Sequence, residues 1–349
     1  MPASPMLRLN LLRVARFALI GCVLGGILGY VNFLIVDAQP GANIVWGLLA
    51  GFMIGVTIGS MEVFVFSGRR RQPSFRRLLI VRLLVYTVTL SFWLTAANAY
   101  RLGEARGTSM VEAAGFYLFE GPFGRDFVLV TLASLLFIWI LQASQLQSGR
   151  DVFNFILGRY HRPQELELVF LFVDLTASTT IAEGLGPLTY SGFLQDFFFD
   201  LNTAVLPWRG SVYQYVGDEV IIVWPMKVGT EHARSVECFF AMQDAIEANR
   251  ARYLETYGVC PEFKGGLHGG VAVVTWVGEI KKEIVYHGDV LNTTARIQGE
   301  AKRGDYACLV SGDLLARLAL PDGFASAPVG EVRLRGKEEH ISLHGLERS

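Results

Sequence analysis

Cysteine is scarce in this chain of 349 residues, and the four present, Cys22, Cys238, Cys260 and Cys308, form no C-x-x-C pair. That spacing excludes a zinc ribbon and gives no disulfide framework, so reduced, mostly buried thiols are expected. Charge is equally sparse. Only 18% of residues are charged, and 31 Lys and Arg nearly cancel 32 Asp and Glu, leaving a formal net charge of -1. No global field therefore draws the chain to nucleic acid or to an acidic surface, and no basic stripe accompanies its aromatic residues, so nucleic acid is not an expected partner. Six histidines are too scattered for a metal cluster: His268 and His287 have no compact ligand spacing with His232, His340 or His344. What is abundant is apolar surface, 52% of residues, most of it before about residue 147.

That apolar half contains four segments, 17–36, 44–66, 78–97 and 127–144, each near the roughly 20 helical residues needed to cross about 30 Å of hydrocarbon. Arg8, Arg13 and Arg16 precede the first, and Arg69, Arg70, Arg71, Arg76 and Arg77 separate the second from the third. The excess of basic residues on the cytoplasmic side puts both clusters there, and an even number of spans returns the polar half to the same side. The expected organisation is a cytoplasmic segment 1–16, a four-helix transmembrane domain 17–144, a linking helix 145–164 and a soluble domain 165–349. This makes a multi-pass protein of the inner (cytoplasmic) cell membrane, with lipid around its spans. Residues 100–126 are read as an external loop, either a plain connector or a small sensing surface. A cleaved signal peptide is the rival reading of the first span, but its apolar stretch is too long for a signal core.

Gly21, Gly25 and Gly29 recur every four residues in the first span, as do Gly47, Gly51, Gly55 and Gly59 in the second. Such stripes let helices approach closely, within one subunit or between two. Glu62 and Arg82 are ionisable residues near the cytoplasmic ends of the second and third spans, where an ion pair or snorkelling is cheap. In the linker, Val152, Phe153, Ile156, Leu157 and Tyr160 recur at helical spacing before Pro163. An amphipathic helix there either pairs with its copy in a second subunit or lies on the soluble domain.

The soluble part alternates strand-like and helix-like stretches within one domain length, so an α+β or α/β sandwich is expected. Leu168 to Val173 is apolar at every position, as in a strand covered on both faces, and it delivers Asp174 to the strand's carboxyl end before a helix beginning near Thr176. Ser211–Val216 and 219–224 read as two strands joined by a tight turn at Gly217-Asp218. If that hairpin pairs beside the first strand, Asp174 and Asp218 reach one side of the sheet. Two carboxylates so placed suit hard divalent cations, which are commonly held by one or two carboxylates plus substrate phosphates. Glycines around Phe263-Lys264-Gly-Gly-Leu-His268 permit close backbone approach, and Asn292 and Arg296 share one face of a helix with Asp289 as its N-cap. Phe197, Phe198 and Phe199 are read as core or dimer-contact residues.

Together these residues resemble the catalytic domain of the class III nucleotidyl cyclases, the adenylate and guanylate cyclases. The pieces carrying the likeness are Phe172-Val-Asp174-Leu-Thr, Val216-Gly-Asp218-Glu, Phe263-Lys264 with the following Leu-His-Gly, and Gly288-Asp-Val-Leu-Asn292-Thr-Thr-Ala-Arg296. The resemblance implies a ferredoxin-like, palm-type α/β domain acting as a homodimer, with composite sites at the subunit interface. It further implies that Asp174 and Asp218 bind two Mg²⁺ or Mn²⁺ per site and that the backbone at Leu175 and Thr176 assists with metal and phosphates. From the partner subunit, Asn292 would orient the ribose and Arg296 would face charge developing on the α-phosphoryl oxygens, a task suited to an always-ionised fork. Arg335 stands where the family places a lysine on the terminal phosphates, with Lys337 close by.

For the base, the resemblance puts Lys264 at an adenine-reading position and Val285 at a second one that usually carries Asp or Thr. A cation at the first position donates to an adenine ring nitrogen and suits guanine poorly. Val285 offers only its backbone, and Asp289 is the nearby alternative. The expected activity is conversion of ATP to 3′,5′-cyclic AMP and pyrophosphate. The rival readings are a cyclase of other base specificity, acting on GTP, and a non-catalytic membrane receptor or scaffold that keeps the fold. Retention of both aspartates, Asn292 and Arg296 favours the enzyme.

Overall fold

The computed structural model describes residues 5–36, 40–66, 75–146, 160, 162–279, 282–333 and 340–348. The chain divides into two compact units, Met1–Gln147 and Ser148–Ser349.

In the first unit the apolar runs form α1 (Pro5–Val36), α2 (Pro40–Ser60), α3 (Phe75–Arg106) and α5 (Phe123–Leu146), four helices long and apolar enough to cross a membrane. The glycine stripes of α1 and α2 face each other within one chain. A Cβ added at Gly25 would lie 2.9 Å from the Cα of Gly51, and one at Gly51 would lie 3.0 Å from the Cα of Gly25, so only glycine allows this approach. α2 runs on into a π-helical turn, Met61–Phe66, which carries Glu62. Arg82 of α3, only 4% exposed, reaches Glu62 at 3.1 Å, and the hydroxyl of buried Tyr86 donates to the same carboxylate. Pairing is what makes a charge tolerable when it is this buried.

The expected external loop is partly helical. α3 continues to Arg106, and α4 (Met110–Phe119) starts at a capping box in which Ser109 Oγ accepts from the Glu112 amide at 3.3 Å and Glu112 accepts from the Ser109 amide at 3.2 Å. This reciprocal capping is a local sequence signal, S-x-x-E, that outweighs the segment's loop-like glycines. The linking helix expected at 145–164 lies mostly outside the described residues.

The second unit is built on an eight-stranded mixed sheet. Its strands are β1 (Gln164–Leu175), β2 (Ser211–Val216), β3 (Glu219–Pro225), β4 (Phe263–Val277), β5 (Glu283–His287), β6 (Cys308–Ser311), β7 (Phe324–Arg333) and β8 (His340–Arg348). They run in the order β2-β3-β1-β4-β6-β8-β7, and β5 pairs with β4. β1 lies near the centre, and both its faces are covered, as its unbroken apolar run requires. Val169, Leu171, Val173 and Leu175 pack against Phe193, Phe197 and Phe239 from α7 (Pro187–Val205) and α9 (Arg234–Ala248), while Phe170 and Phe172 join a second cluster with Val290. Between β1 and α7 lies the short α6 (Ser178–Leu185), beginning two residues later than expected because Ala177 takes a left-handed conformation, φ 54°.

α11 (Asp289–Arg303) covers the Phe172 face of the sheet beside β4. Its buried residues are Val290, Thr293, Thr294, Ile297, Gln298 and Ala301. Gly270 lies under Val290 and Gly266 under Gln298, so the helix runs antiparallel to β4 and ends near Lys264. Its N-cap is Gly288, φ 146°, and not Asp289, which instead occupies the first turn, where a carboxylate favours the helix dipole.

Candidate functional site

The β2–β3 hairpin closes with Val216 opposite Glu219, and Gly217 adopts φ 63° in the turn. β3 then pairs with β1 so that Asp174 lies opposite Glu219, and the Leu175 amide donates to the Asp218 carbonyl at 3.4 Å. Asp174 and Asp218 are thereby neighbours at adjoining strand ends. On the other side of β1, Asp174 lies opposite Lys264 of β4. Cross-strand partners share a face, so the Lys264 side chain leaves the sheet on the same side as that of Asp174. Its Nζ donates to the Gly304 carbonyl just past the end of α11.

A second lysine closes the group. Lys302, in the last turn of α11, forms an ion pair with Asp174 Oδ2, while Asp174 Oδ1 is buried with no hydrogen-bond partner. Burial holds the Asp174 carboxyl above its ordinary pKa, Lys302 opposes the shift, and Asp218 reinforces it. Glu219 rises to about 7, through burial first and then the charge of Asp174, with Lys302 opposing. Tyr190 of α7 also feels Asp218 and Asp174, which add to the effect of burial in raising its phenol.

The expected site residues fall into two groups separated along α11. Lys302 touches Asp174, but Arg296 lies six residues and Asn292 ten residues earlier, roughly 9 and 15 Å along the axis at 1.5 Å per residue. Asn292 and Ala295 are exposed and Arg296 is half-buried on the face turned away from β4, and neither Asn292 nor Arg296 has a partner among the described residues. One chain therefore does not bring Asn292 and Arg296 to its own carboxylates. Val285 belongs with this second group: it pairs with Thr275, eleven residues along β4 from Lys264, or roughly 36 Å of extended strand. Lys264 and Val285 of one subunit thus do not share a pocket. Beside Val285, the ring of Tyr286 packs on Tyr213 at 4.7 Å, which brings β2 and its exposed neighbour Gln214 toward that end.

Leu175 is core, and its amide is taken by Asp218. The Thr176 amide donates to the Glu262 carbonyl at 2.7 Å, and its hydroxyl is buried without a partner. Arg335 and Lys337 lie outside the described residues. His268 is a core histidine, its Nδ1 2.7 Å from Ser311 Oγ and its pKa lowered by burial. Sequence reasoning missed Lys302 and Glu219. Both carried a signal: Lys302 follows buried Gln298 by four residues on one helix face, and Glu219 is the hairpin residue that pairs with Asp174.

The donor set fits a hard divalent cation. Asp174 and Asp218 offer oxygen only, one Asp174 oxygen is buried and unpartnered, and among the described residues no thiolate or imidazole joins them in a metal-binding group. Among the described residues no group of three or more His, Cys, Asp or Glu is arranged to hold a metal ion, and a hard cation held by one or two carboxylates takes its remaining oxygens from substrate phosphates or water.

Residues 162–347 match the family described as the adenylate and guanylate cyclase catalytic domain. Adenylate cyclase 2 of Rhizobium meliloti (strain 1021) is 32% identical over 330 residues, 90% of this chain and 89% of that protein. Adenylate cyclase 1 of the same organism is 29% identical over 184 residues, 51% of this chain but only 27% of that longer protein. A solved bacterial light-regulated adenylyl cyclase superposes with a TM-score of 0.51 over 62% of this chain and 64% of that one, at 15% identity, a likeness of fold.

Proposed function

The chain belongs to the adenylate and guanylate cyclase family, and from that premise we propose that it is a membrane-anchored adenylate cyclase, converting ATP to 3′,5′-cyclic AMP and pyrophosphate in composite sites of a homodimer. The observation that carries this reading is the division of the site residues. Asp174 and Asp218 gather at one end of β1, whereas Asn292 and Arg296 sit unpartnered on the outer face of α11, out of their reach. A second copy with its α11 face against the first would complete each half with the other.

Asp174 and Asp218 would hold the divalent cations, Mg²⁺ or Mn²⁺, two per site. Bound there, such cations would lower the pKa of the ribose 3′-hydroxyl and offset the triphosphate's charge. The 3′-oxygen forms its bond to the α-phosphorus, the bond from that phosphorus to the β-phosphate's bridging oxygen breaks, pyrophosphate departs, and the hydroxyl proton passes to solvent. Asn292 of the partner subunit holds the ribose so that attack and departure are in line. Arg296 of the partner subunit offers its planar guanidinium to the α-phosphoryl oxygens as their charge grows, an interaction worth more in the transition state than in the ground state. Arg335 neutralises the terminal phosphates.

Lys264 is read differently from the sequence expectation. As the cross-strand partner of Asp174, it is suited to phosphate oxygens, and the base is read at the far end of the site by main-chain groups near Val285 of the partner subunit and by β2 at Gln214. The four long apolar helices anchor the chain, and the arginine clusters at their ends orient it with both the N-terminus and the catalytic domain in the cytoplasm.

The test is purified full-length protein in nanodiscs with Mg²⁺ or Mn²⁺ and either ATP or GTP, followed by mass detection of the cyclic product. Cyclic AMP from ATP, abolished by Asp174→Ala, is the expected result. Cyclic GMP alone would reassign the base. No product from either nucleotide, with Asp174→Ala indistinguishable from the parent, would remove the enzyme reading in favour of a nucleotide-binding scaffold.

A further inference from the structure

The ion pair between Lys302 and Asp174 occupies the place where the catalytic cation is expected. Lys302 stands in the last turn of α11, four residues after Gln298, whose backbone rests on Gly266, so the helix aims its side chain at the carboxyl end of β1. The pair is lopsided in exposure. The Asp174 side chain is 12% exposed and that of Lys302 40%, so the ammonium approaches the buried carboxylate from the solvent side on a flexible four-carbon stem. Only Oδ2 is engaged, and Oδ1 remains buried and unpartnered. Three carboxylates gather at these adjoining strand ends, with Asp174 opposite Glu219 and the Leu175 amide on the Asp218 carbonyl, and like charges so placed favour a nearby cation. Of the other basic groups nearby, Lys264 donates to the Gly304 carbonyl and Arg303 pairs with Glu300 at 2.8 Å.

We propose that Lys302 is a built-in counter-ion of the catalytic carboxylates, holding Asp174 in the nucleotide-free subunit and competing with the divalent cation for it. This rests on the metal-site reading of Asp174 given above. An ammonium on Oδ2 both blocks one ligand oxygen and repels a second positive charge, so loading the cation displaces Lys302. The displaced ammonium remains tethered beside the site, within reach of the phosphates that arrive with the nucleotide. Metal alone binds weakly, and metal with nucleotide binds well, because only the nucleotide offers Lys302 another anion. The subunit is thereby protected from holding bare cations between turnovers.

The experiment uses the full chain in nanodiscs of zwitterionic lipid and titrates Mn²⁺ without nucleotide, following loss of the free-ion paramagnetic resonance signal. Lys302→Met removes the charge at nearly constant length and, at a site this exposed, leaves the fold intact, as thermal unfolding of the same sample checks. The expected result is Mn²⁺ binding about tenfold tighter than in the parent protein, with Lys302→Arg close to the parent. A second readout runs the opposite way: the KM for the nucleotide rises in Lys302→Met while kcat changes less. Unchanged or weaker Mn²⁺ binding in Lys302→Met overturns the counter-ion role. Asp174→Asn separates this failure from a deeper one, because if that variant still binds Mn²⁺ like the parent, the metal-site reading itself is wrong.

Discussion

Gly266→Ala asks how closely the position of α11 governs the site. Gly266 lies in β4 beneath α11, and its backbone is compatible with alanine, so the substitution acts through space alone. The new methyl would lie 2.8 Å from the Cα of Gln298 and nearer still to its amide nitrogen, both backbone atoms that no side-chain rotation can move aside. Reaching an ordinary 3.4 Å contact requires the helix to retreat by about 0.6 Å at that Cα, and by more at the nitrogen, in a close-packed interior. Overpacking of this kind costs about 1–3 kcal/mol, which lowers the unfolding midpoint of a domain this size by about 2–12 °C. Because α11 carries Asn292, Arg296 and Lys302, a shift near 1 Å also reduces kcat by roughly 100-fold. The control is Gly299→Ala on the same helix, where an added Cβ meets nothing within 4 Å and the lost glycine raises stability by about 0.5–1 kcal/mol. The assay pairs thermal unfolding with cyclic-nucleotide production for the full chain. An unchanged midpoint and kcat in Gly266→Ala would refute the docking of α11 described above.

Two further perturbations report on groups outside the catalytic corner. His268 is buried with its pKa held below 6.5 by desolvation, so the unfolded chain binds its proton first as pH falls. The stability contributed by the neutral ring is present above about pH 6.5 and is lost as pH falls from there through the depressed folded value, so His268→Asn should flatten the unfolding midpoint against pH on that acid limb. A slope identical to the parent's would exclude His268 as its source. In the membrane unit, Arg82→Leu leaves the Glu62 carboxylate without its cation and should destabilise that unit by about 3–5 kcal/mol, whereas the double variant Arg82→Leu with Glu62→Gln recovers most of the loss. Equal destabilisation of the single and double variants, measured by thermal unfolding in nanodiscs, would contradict the pairing.

Much of this architecture was legible in the residues because each signal was local and strong. The unbroken apolar run of β1 demanded burial on both faces, and the Gly217-Asp218 turn announced the hairpin, which together forced Asp174 and Asp218 side by side. Period-four glycines announced close helix packing, though only the three-dimensional structure showed α1 and α2 meeting within one chain. What stayed hidden depended on register between distant segments. Lys264 and Val285 lie on strands that the sequence read as one recognition surface, and only the pairing of β5 at Thr275 and of Lys264 at Asp174 sets them at opposite ends. Lys302 was overlooked because a lysine near a helix end ordinarily serves the helix dipole, and its acid partner is more than a hundred residues away in sequence. The α4 capping box was written in plain sequence and was passed over in a stretch rich in glycine.

The central claim is that neither subunit holds a complete site. Asp174→Ala and Arg296→Ala proteins, each purified separately in exchangeable form, should be inactive alone. Mixed, they should regain activity toward about one quarter of the parent's, since statistical exchange makes half the dimers mixed and each mixed dimer has one intact site of two. Persistent inactivity despite subunit exchange demonstrated by energy transfer between labelled chains would contradict the claim, and so would full activity of Arg296→Ala by itself.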